Sequence, residues 1–343
     1  MISPADPTDT VPVAADWPDP TGRRVLPFSL PGLVVGTARL GSVLPGIFRS
    51  ARERERGFSV LDDAVSLGCT AFDLAASYQA GGTERLVGEW IASRRNRDRL
   101  FLISKGGHPV PVVQPHRITP SALAADLDAS LRRVGTTHFD LYLLHRDDAQ
   151  ASLDDVLEAV SRFRRQEKVR AWGLSNWTHA RIDALAALAR ASGVEAAAAS
   201  SPHFSLLEWV SPPWPGCVSI AGAENAAARE YYAREQLPVL AWSPLGSGFF
   251  SASPAGASRS ASRAYASPEN AARRERAERL GRRYGCTGAQ IALAYVYSQP
   301  FPVSAVVAAN AREKMARNVE ASRLTLTADE TRWLEDGGGV LPA

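Results

Sequence analysis

The sequence predicts an α/β fold in which eight short strands of a parallel sheet alternate with amphipathic helices. Three observations carry that reading. Eight apolar or β-branched runs recur with little polar alternation, as strands covered on both faces require. The segments between them carry helical spacing and helix caps. The length, 343 residues, exceeds one small sandwich and suits one α/β barrel with insertions. A closed barrel and a doubly wound sheet both satisfy this alternation, and strand count does not choose between them.

The elements follow in order. Residues 1–30 are rich in Pro, Asp and Thr without periodicity, and we expect a mobile N-terminal arm there, with a single domain over 31–343. The apolar runs are Leu33–Val35, Ala71–Leu74, Leu100–Ile103, Phe139–Leu144, Val169–Leu174, Ala196–Ser200, Val239–Trp242 and Ala305–Val307. Helical patterns fall between them. Thr83 precedes Leu86, Val87, Trp90 and Ile91. Thr119-Pro120 reads as an N-cap with proline at the first helical position, followed by a stripe of Leu123, Leu127, Leu131 and Val134 and a stop at Gly135. Ser152 with Asp155 resembles a capping box ahead of Val156, Leu157, Val160 and Phe163. Thr178 precedes Ile182, Leu185 and Leu188. Two stretches, 205–222 with its Pro212-Pro213-Trp214-Pro215-Gly216 and the Gly/Ser/Ala/Pro-dense 245–269, break the alternation. As long βα loops they would lie over the C-terminal face of a barrel, where loops form lids or substrate walls.

Composition excludes several classes. The net charge is only +3, and arginines alternate with acids, as in Arg52-Glu53-Arg54-Glu55-Arg56, which describes a solvated helix face and not a nucleic-acid site. No apolar run approaches the roughly 20 residues of a membrane helix. The acidic N-terminus, with Asp6, Asp9, Asp16 and Asp19, lacks the core of a signal peptide. Cys69, Cys217 and Cys286 offer neither metal spacing nor a paired framework, so a reducing, cytoplasmic location is expected and a metal is not.

Chemistry gathers at strand ends. Asp73 ends the second run and Tyr78 follows five positions on; Lys105 closes the third run and His145 the fourth. A parallel barrel places its reactive groups at such C-terminal ends. Singly, a strand-end Asp or Lys is more often a structural ion pair, but buried charges need partners, and these groups in equivalent positions point to one site. The chemistry that fits is carbonyl reduction. Tyr78 would give the proton, Lys105 would favour the phenolate and lower the phenol's pKa, Asp73 would hold Lys105, and His145 would orient the substrate oxygen.

At these residues the chain resembles the aldo-keto reductases, over about 33–335. Asp73, Tyr78, Lys105 and His145 match that family's catalytic set. Gly81-Gly82-Thr83-Glu84-Arg85-Leu86-Val87-Gly88 is similar to the turn and helix after its tyrosine, and Asp140–His145 followed by Arg146 to its fourth strand. The resemblance implies a (β/α)8 TIM barrel with long βα loops over the C-terminal face, binding an extended NADPH, with NADH possible, and a small-molecule carbonyl substrate. It implies cofactor roles for Ser175 and Asn176 at the nicotinamide amide, for Ser243, Leu245 and Gly248 around the pyrophosphate, and for Asn318 at the adenine. Ser201 stands where the family has glutamine, so one amide contact would be lost or bridged by water. Phe204 stands in place of a tyrosine and would stack on the nicotinamide. The 2′-phosphate clamp, near Ala308-Ala309-Asn310, is nearly bare, which leaves Lys314 and Arg312.

Plainer readings stand beside these. Ser175 and Asn176 could simply cap a helix, and Gly246 and Gly248 could be ordinary loop glycines. Trp209 and Trp214 could wall the substrate pocket or pin their loop. His108, His116, His138, His179 and His203 read as surface or satisfied polar residues. Tyr231 and Tyr232 fit packing or surface positions, and Trp17 has no assigned role. A cofactor-binding scaffold without catalysis and a redox-neutral epimerase are the alternatives to a reductase. The aromatic and proline content of residues 205–222 points to an apolar or cyclic substrate.

Overall fold

All eight apolar runs become strands, and the first pairs with the last. The computed structural model describes residues 30–42, 51–110, 112–250, 263–308 and 311–338. The strands are β1 (Leu33–Gly36), β2 (Ala71–Asp73), β3 (Phe101–Gly106), β4 (Leu141–Leu144), β5 (Trp172–Ser175), β6 (Ala199–Ser201), β7 (Val239–Trp242) and β8 (Val303–Val307). Each is parallel to its neighbours, and the order β1-β2-β3-β4-β5-β6-β7-β8 closes through Val35 opposite Val307. Closure decides between the two architectures left open above, in favour of the (β/α)8 barrel.

Side chains alternate along each strand. One set, Val34, Ala71, Ile103, Leu141, Leu143 and Leu240, forms a compact inner cluster. The alternate set, Val35, Phe72, Leu102, Tyr142, Leu144 and Leu174, packs against the helices in a larger one. Leu30, placed by sequence at the end of the arm, is buried with the inner cluster, so the packed body includes it. The rest of the expected arm, with Trp17, and residues 251–262 of the second long loop lie outside the described residues.

The helices are α1 (Ala51–Ser66), α2 (Gly82–Arg94), α3 (Pro120–Val134), α4 (Leu153–Arg165), α5 (His179–Ala191), α6 (Ala226–Glu235), α7 (Pro268–Tyr284), α8 (Gly288–Tyr297), α9 (Arg312–Ala321) and α10 (Ala328–Asp336). Thr119 and Thr178 cap α3 and α5 as their spacing implies, and Gly135 ends α3 at φ 71°. Ser152 caps α4 through the N–H of Asp154, one residue short of a capping box. Thr83 is not a cap: α2 starts one residue earlier, and the Thr83 hydroxyl donates to Leu40 O at 2.6 Å. True capping boxes open α8 (Thr287, Gln290) and α10 (Thr327, Glu330). Tyr231 and Tyr232 are buried packing residues of α6.

Two buried acids brace the strands that carry the site. Glu84 of α2 accepts from Ser104 Oγ at 2.7 Å and pairs with Arg133 of α3 at 2.5 Å. Asp140, just before β4, accepts from Leu102 N–H at 2.8 Å and pairs with Arg97 and Arg170 at 3.0 and 3.1 Å. Among the described residues no helix is long and apolar enough to cross a membrane, and no side-chain group could hold a metal.

Candidate active site

Strand alternation explains why separate stretches converge. Ala71, Ile103 and Leu143 face the barrel interior. Asp73, Lys105 and His145 each lie two positions further on, hence on the same face at the open end. Lys105 is the hub. Its ammonium donates to Asp73 Oδ1 at 2.5 Å, to Tyr78 OH at 2.9 Å and to Leu74 O at 3.1 Å. The Tyr78 hydroxyl also donates to Asp73 Oδ2 at 3.2 Å. The His145 ring stands edge-on to Tyr78, with centroids 5.9 Å apart, and its Nδ1 is 3.3 Å from Ser77 Oγ. The sequence-predicted tetrad is therefore assembled. Asp73, Lys105 and His145 are buried, whereas Tyr78 is partly exposed at the mouth.

A strained turn aims the tyrosine. Gln79, Ala80 and Gly81, directly after it, adopt φ of 50°, 50° and 80°. For the two non-glycines this costs roughly 1–2 kcal/mol each. Gln79 Nε2 donates to Ala38 O at 3.2 Å, and Arg85 donates to Ala80 O at 3.2 Å, so the turn is tied down at both residues. Gly82 must be glycine because a Cβ would meet Ser42 O at 1.9 Å.

The electrostatics correct one expectation. Burial, first, and the Asp73 charge push the Tyr78 phenol above its ordinary value of 10.0; Lys105 pulls it down but does not prevail. Tyr78 thus holds its proton through the neutral range. Burial disfavours the Lys105 ammonium, yet Asp73 and Tyr78 together hold it charged, above its ordinary 10.5. Burial, with Lys105, Arg146 and His108 nearby, drives His145 well below 6.5, so its imidazole is neutral. The arrangement is a protonated phenol backed by a fixed cation, beside a neutral hydrogen-bonding ring. It can deliver a proton to a bound oxygen.

The remaining predicted site residues divide. Ser175 and Asn176 end β5, both buried; Ser175 Oγ donates to Ser201 O at 3.1 Å, and Asn176 Nδ2 donates to Ser175 Oγ at 3.0 Å. Neither caps α5, which Thr178 does. Ser201 Oγ donates to Leu240 O at 2.9 Å, so this hydroxyl's proton is held by the β7 backbone. Ser243 (φ 52°) and Gly248 (φ 103°) lie with Leu245 in a turn that also holds left-handed Gly246 and Ser247. Such turns form anion cradles. Asn318 is buried on α9 and Lys314 lies in its first turn, exposed. Arg312 pairs instead with Asp63 at 3.6 Å. Residues 309–310 lie outside the described residues.

Phe204 is misplaced by the sequence reading. Its ring is fully buried against Tyr295 and Phe301, with centroids 5.8 and 6.0 Å away, and cannot stack on a ligand. The aromatic at the mouth is Trp242, the last residue of β7, partly exposed, with its indole Nε1 buried and without a hydrogen-bond partner. His203 is a satisfied polar residue, as its sequence reading has it. It is fully buried, with Nδ1 2.8 Å from Ser219 Oγ, Nε2 2.9 Å from Tyr265 OH, and its ring against Trp209 and Trp242 at 4.5 and 5.1 Å. It thereby links both long loops to β7. His108, too, touches the site, its ring 4.8 Å from that of His145. Trp242 was legible as the last residue of an apolar strand, the position that marks the other site residues; His203 was legible only as the neighbour of Phe204.

The family described as Aldo/keto reductase matches residues 32–336. Norsolorinic acid reductase A of Aspergillus parasiticus is 25% identical over 324 residues, covering 92% of this chain and 78% of that protein. The uncharacterized oxidoreductase YrpG of Bacillus subtilis is 28% identical over 322 residues, covering 89% and 93%. Among solved structures, an aldo-keto reductase from Klebsiella pneumoniae in complex with NADPH superposes with a TM-score of 0.65 at 24% identity, covering 90% of each chain, a likeness of fold.

Proposed function

This chain belongs to the aldo/keto reductase family, and on that premise we propose that it is an NADPH-dependent oxidoreductase reducing an aldehyde or ketone to an alcohol, with Tyr78 as the proton donor. The supporting observation is the buried chain from Asp73 through Lys105 to the Tyr78 hydroxyl at the barrel mouth. NADPH, when bound, would supply the hydride to the carbonyl carbon and be oxidised to NADP⁺; Tyr78 would give its proton to the carbonyl oxygen and regain one from water.

The raised pKa of Tyr78 suits this role. A developing alkoxide is a far stronger base than a phenolate, so a phenol with a raised pKa still donates to it and stays protonated until then. Lys105 remains charged and stabilises the phenolate left behind; Asp73 keeps Lys105 in place. Neutral His145 can hydrogen-bond the substrate oxygen without competing as an acid.

The residues at the tops of β5 and β7 fit a dinucleotide. Ser175 and Asn176 would face the carboxamide, Trp242 would stack on the nicotinamide in the place expected of Phe204, and the left-handed turn around Ser243, Leu245 and Gly248 would cradle the pyrophosphate. Asn318 would reach the adenine. Lys314, in the first turn of α9, would face a 2′-phosphate, which favours NADPH while leaving NADH usable. Ser201 contributes no side-chain donor. The unpaired Cys69, Cys217 and Cys286 fit a reducing cytoplasm.

The test is Tyr78→Phe, with fluorescence titrations of NADPH and NADH beside it. We expect cofactor affinity to hold within about twofold and turnover to fall 10²–10⁴-fold, the worth of a positioned acid. Undiminished turnover with an aldehyde substrate would dismiss the assignment.

A further inference from the structure

Six large hydrophobic side chains stand exposed among the described residues, and five of them lie on just two βα loops at the catalytic end. Val110, Val112 and Val113 form the tip of the loop after β3, at 45%, 98% and 74% exposure. Val110 and Gln114 pair through two backbone hydrogen bonds of 2.9 and 2.8 Å, which hold the tip out as a small hairpin. Val112 has φ 68°, a left-handed backbone that a β-branched residue rarely adopts. Val210 and Trp214 stand on the loop after β6 at 59% and 52% exposure. The sixth, Tyr284, ends α7.

Both loops are anchored beside His145. The His108 ring, two residues before Val110, packs edge-on against His145 at 4.8 Å. On the other side, Arg146 donates to His145 O at 3.0 Å and reaches Cys217 Sγ at 3.5 Å, three residues from Trp214. Val218 N–H donates to Asn176 Oδ1 at 3.2 Å, and Trp214 lies 6.1 Å from Trp242, centroid to centroid. The loops that carry the exposed apolar groups are therefore anchored at His145 and its neighbour Arg146, from two directions. Charges around the two loops are largely paired: Arg117 with Asp126, His116 with Asp148, Arg273 with Glu208.

We propose that the substrate is a carbonyl compound with an extended apolar body, longer than one aromatic ring, lying across the mouth between the exposed side chains of Val110, Val112 and Val113 and that of Trp214. This rests on the reduction proposed above and names the substrate class for that site. A fully exposed valine and a half-exposed tryptophan keep apolar surface in water, which is unfavourable, and each gains when an apolar ligand covers it. His108 of the first loop touches His145, and Cys217 of the second touches the adjacent Arg146, so a ligand lying between the loops would end near Tyr78. That continuity distinguishes a substrate from a partner docked on the outer helices.

The experiment compares kcat/KM for benzaldehyde, 2-naphthaldehyde and 4-phenylbenzaldehyde with NADPH, in wild type, Trp214→Ser and the double variant Val112→Ser/Val113→Ser. We expect wild type to favour 4-phenylbenzaldehyde over benzaldehyde at least tenfold. Each variant should cut that preference fivefold or more, with benzaldehyde reduced within twofold of wild type. A flat ladder in wild type, or variants that slow all three aldehydes equally, overturns the inference while leaving the reduction intact. Light scattering that shows a wild-type dimer reverting to monomer in Trp214→Ser, with the ladder flat, assigns the patch to a second copy of this chain instead. Failure of wild type to oxidise NADPH with any of these or with smaller aldehydes counts against the proposed function itself.

Discussion

Replacing Lys105 with methionine tests the electrostatic core of the site. Lys105 is 3% exposed and Asp73 5%, and the ammonium makes three contacts, to Asp73, Tyr78 and Leu74 O. Methionine fills a similar volume, so packing changes little. What remains is a buried carboxylate with only the Tyr78 hydroxyl as donor. Removing one partner of such a pair costs about 3–5 kcal/mol, whereas replacing both with apolar residues is close to neutral. Unfolding entropy near 2.1 cal/mol/K per residue over 343 residues gives about 0.7 kcal/mol/K. Lys105→Met should therefore lower Tm by roughly 4–7 °C, and Asp73→Leu by a similar amount. The double variant Asp73→Leu/Lys105→Met should melt within about 2 °C of wild type. Circular dichroism melts of the four proteins complete the cycle. If the double variant loses as much as the two singles added together, the residues do not act as a coupled buried pair and the reasoning fails.

Three further outcomes follow from the same structure. Because Tyr78 is active while protonated and its pKa is raised above 10.0, kcat/KM for reduction should be level through neutral pH and fall only as pH climbs past about 10; a decline centred near pH 7 to 8 would contradict the raised phenol. Burial lowers His203 from 6.5 to about 3, so the folded form binds no proton there while the unfolded form does. There is no penalty above pH 6.5, and stability is lost as pH falls toward 3, the loss reaching about 2 kcal/mol at pH 5; His203→Phe should flatten this acid dependence in melts at pH 8 and pH 5, and an unchanged slope would count against it. Trp242→Ala should weaken NADPH binding by about 2–10-fold through loss of ring stacking, read by fluorescence titration, whereas Phe204→Tyr should leave affinity alone.

Much of the site was legible because its determinants are local. Asp73, Lys105 and His145 each end an apolar run, and a two-residue side-chain period places strand-end groups on the inward face whatever the sheet's final shape. Thr119, Thr178 and Gly135 announced their helix ends by backbone chemistry that neighbours alone decide. The boxes at Thr287/Gln290 and Thr327/Glu330 carried the same kind of signal for α8 and α10, in a stretch the sequence reading left undivided. Phe204 was misread because an apolar residue three positions past a strand can turn to the core or to the mouth. Only contact with Tyr295 and Phe301 settles which.

Sequence alone thus determined the strands, the helix caps and the four residue types at their ends, since these depend on spacing along the chain. Tertiary structure decided the rest. Pairing of β1 with β8 closed the barrel, a contact between residues about 270 positions apart that no local period encodes. The direction of the Tyr78 shift depended on weighing burial against Asp73 and Lys105, and desolvation exists only once the chain has folded around the phenol. The exposed valines and Trp214 became a feature of the active mouth only because two distant loops both come to rest against His145 and Arg146.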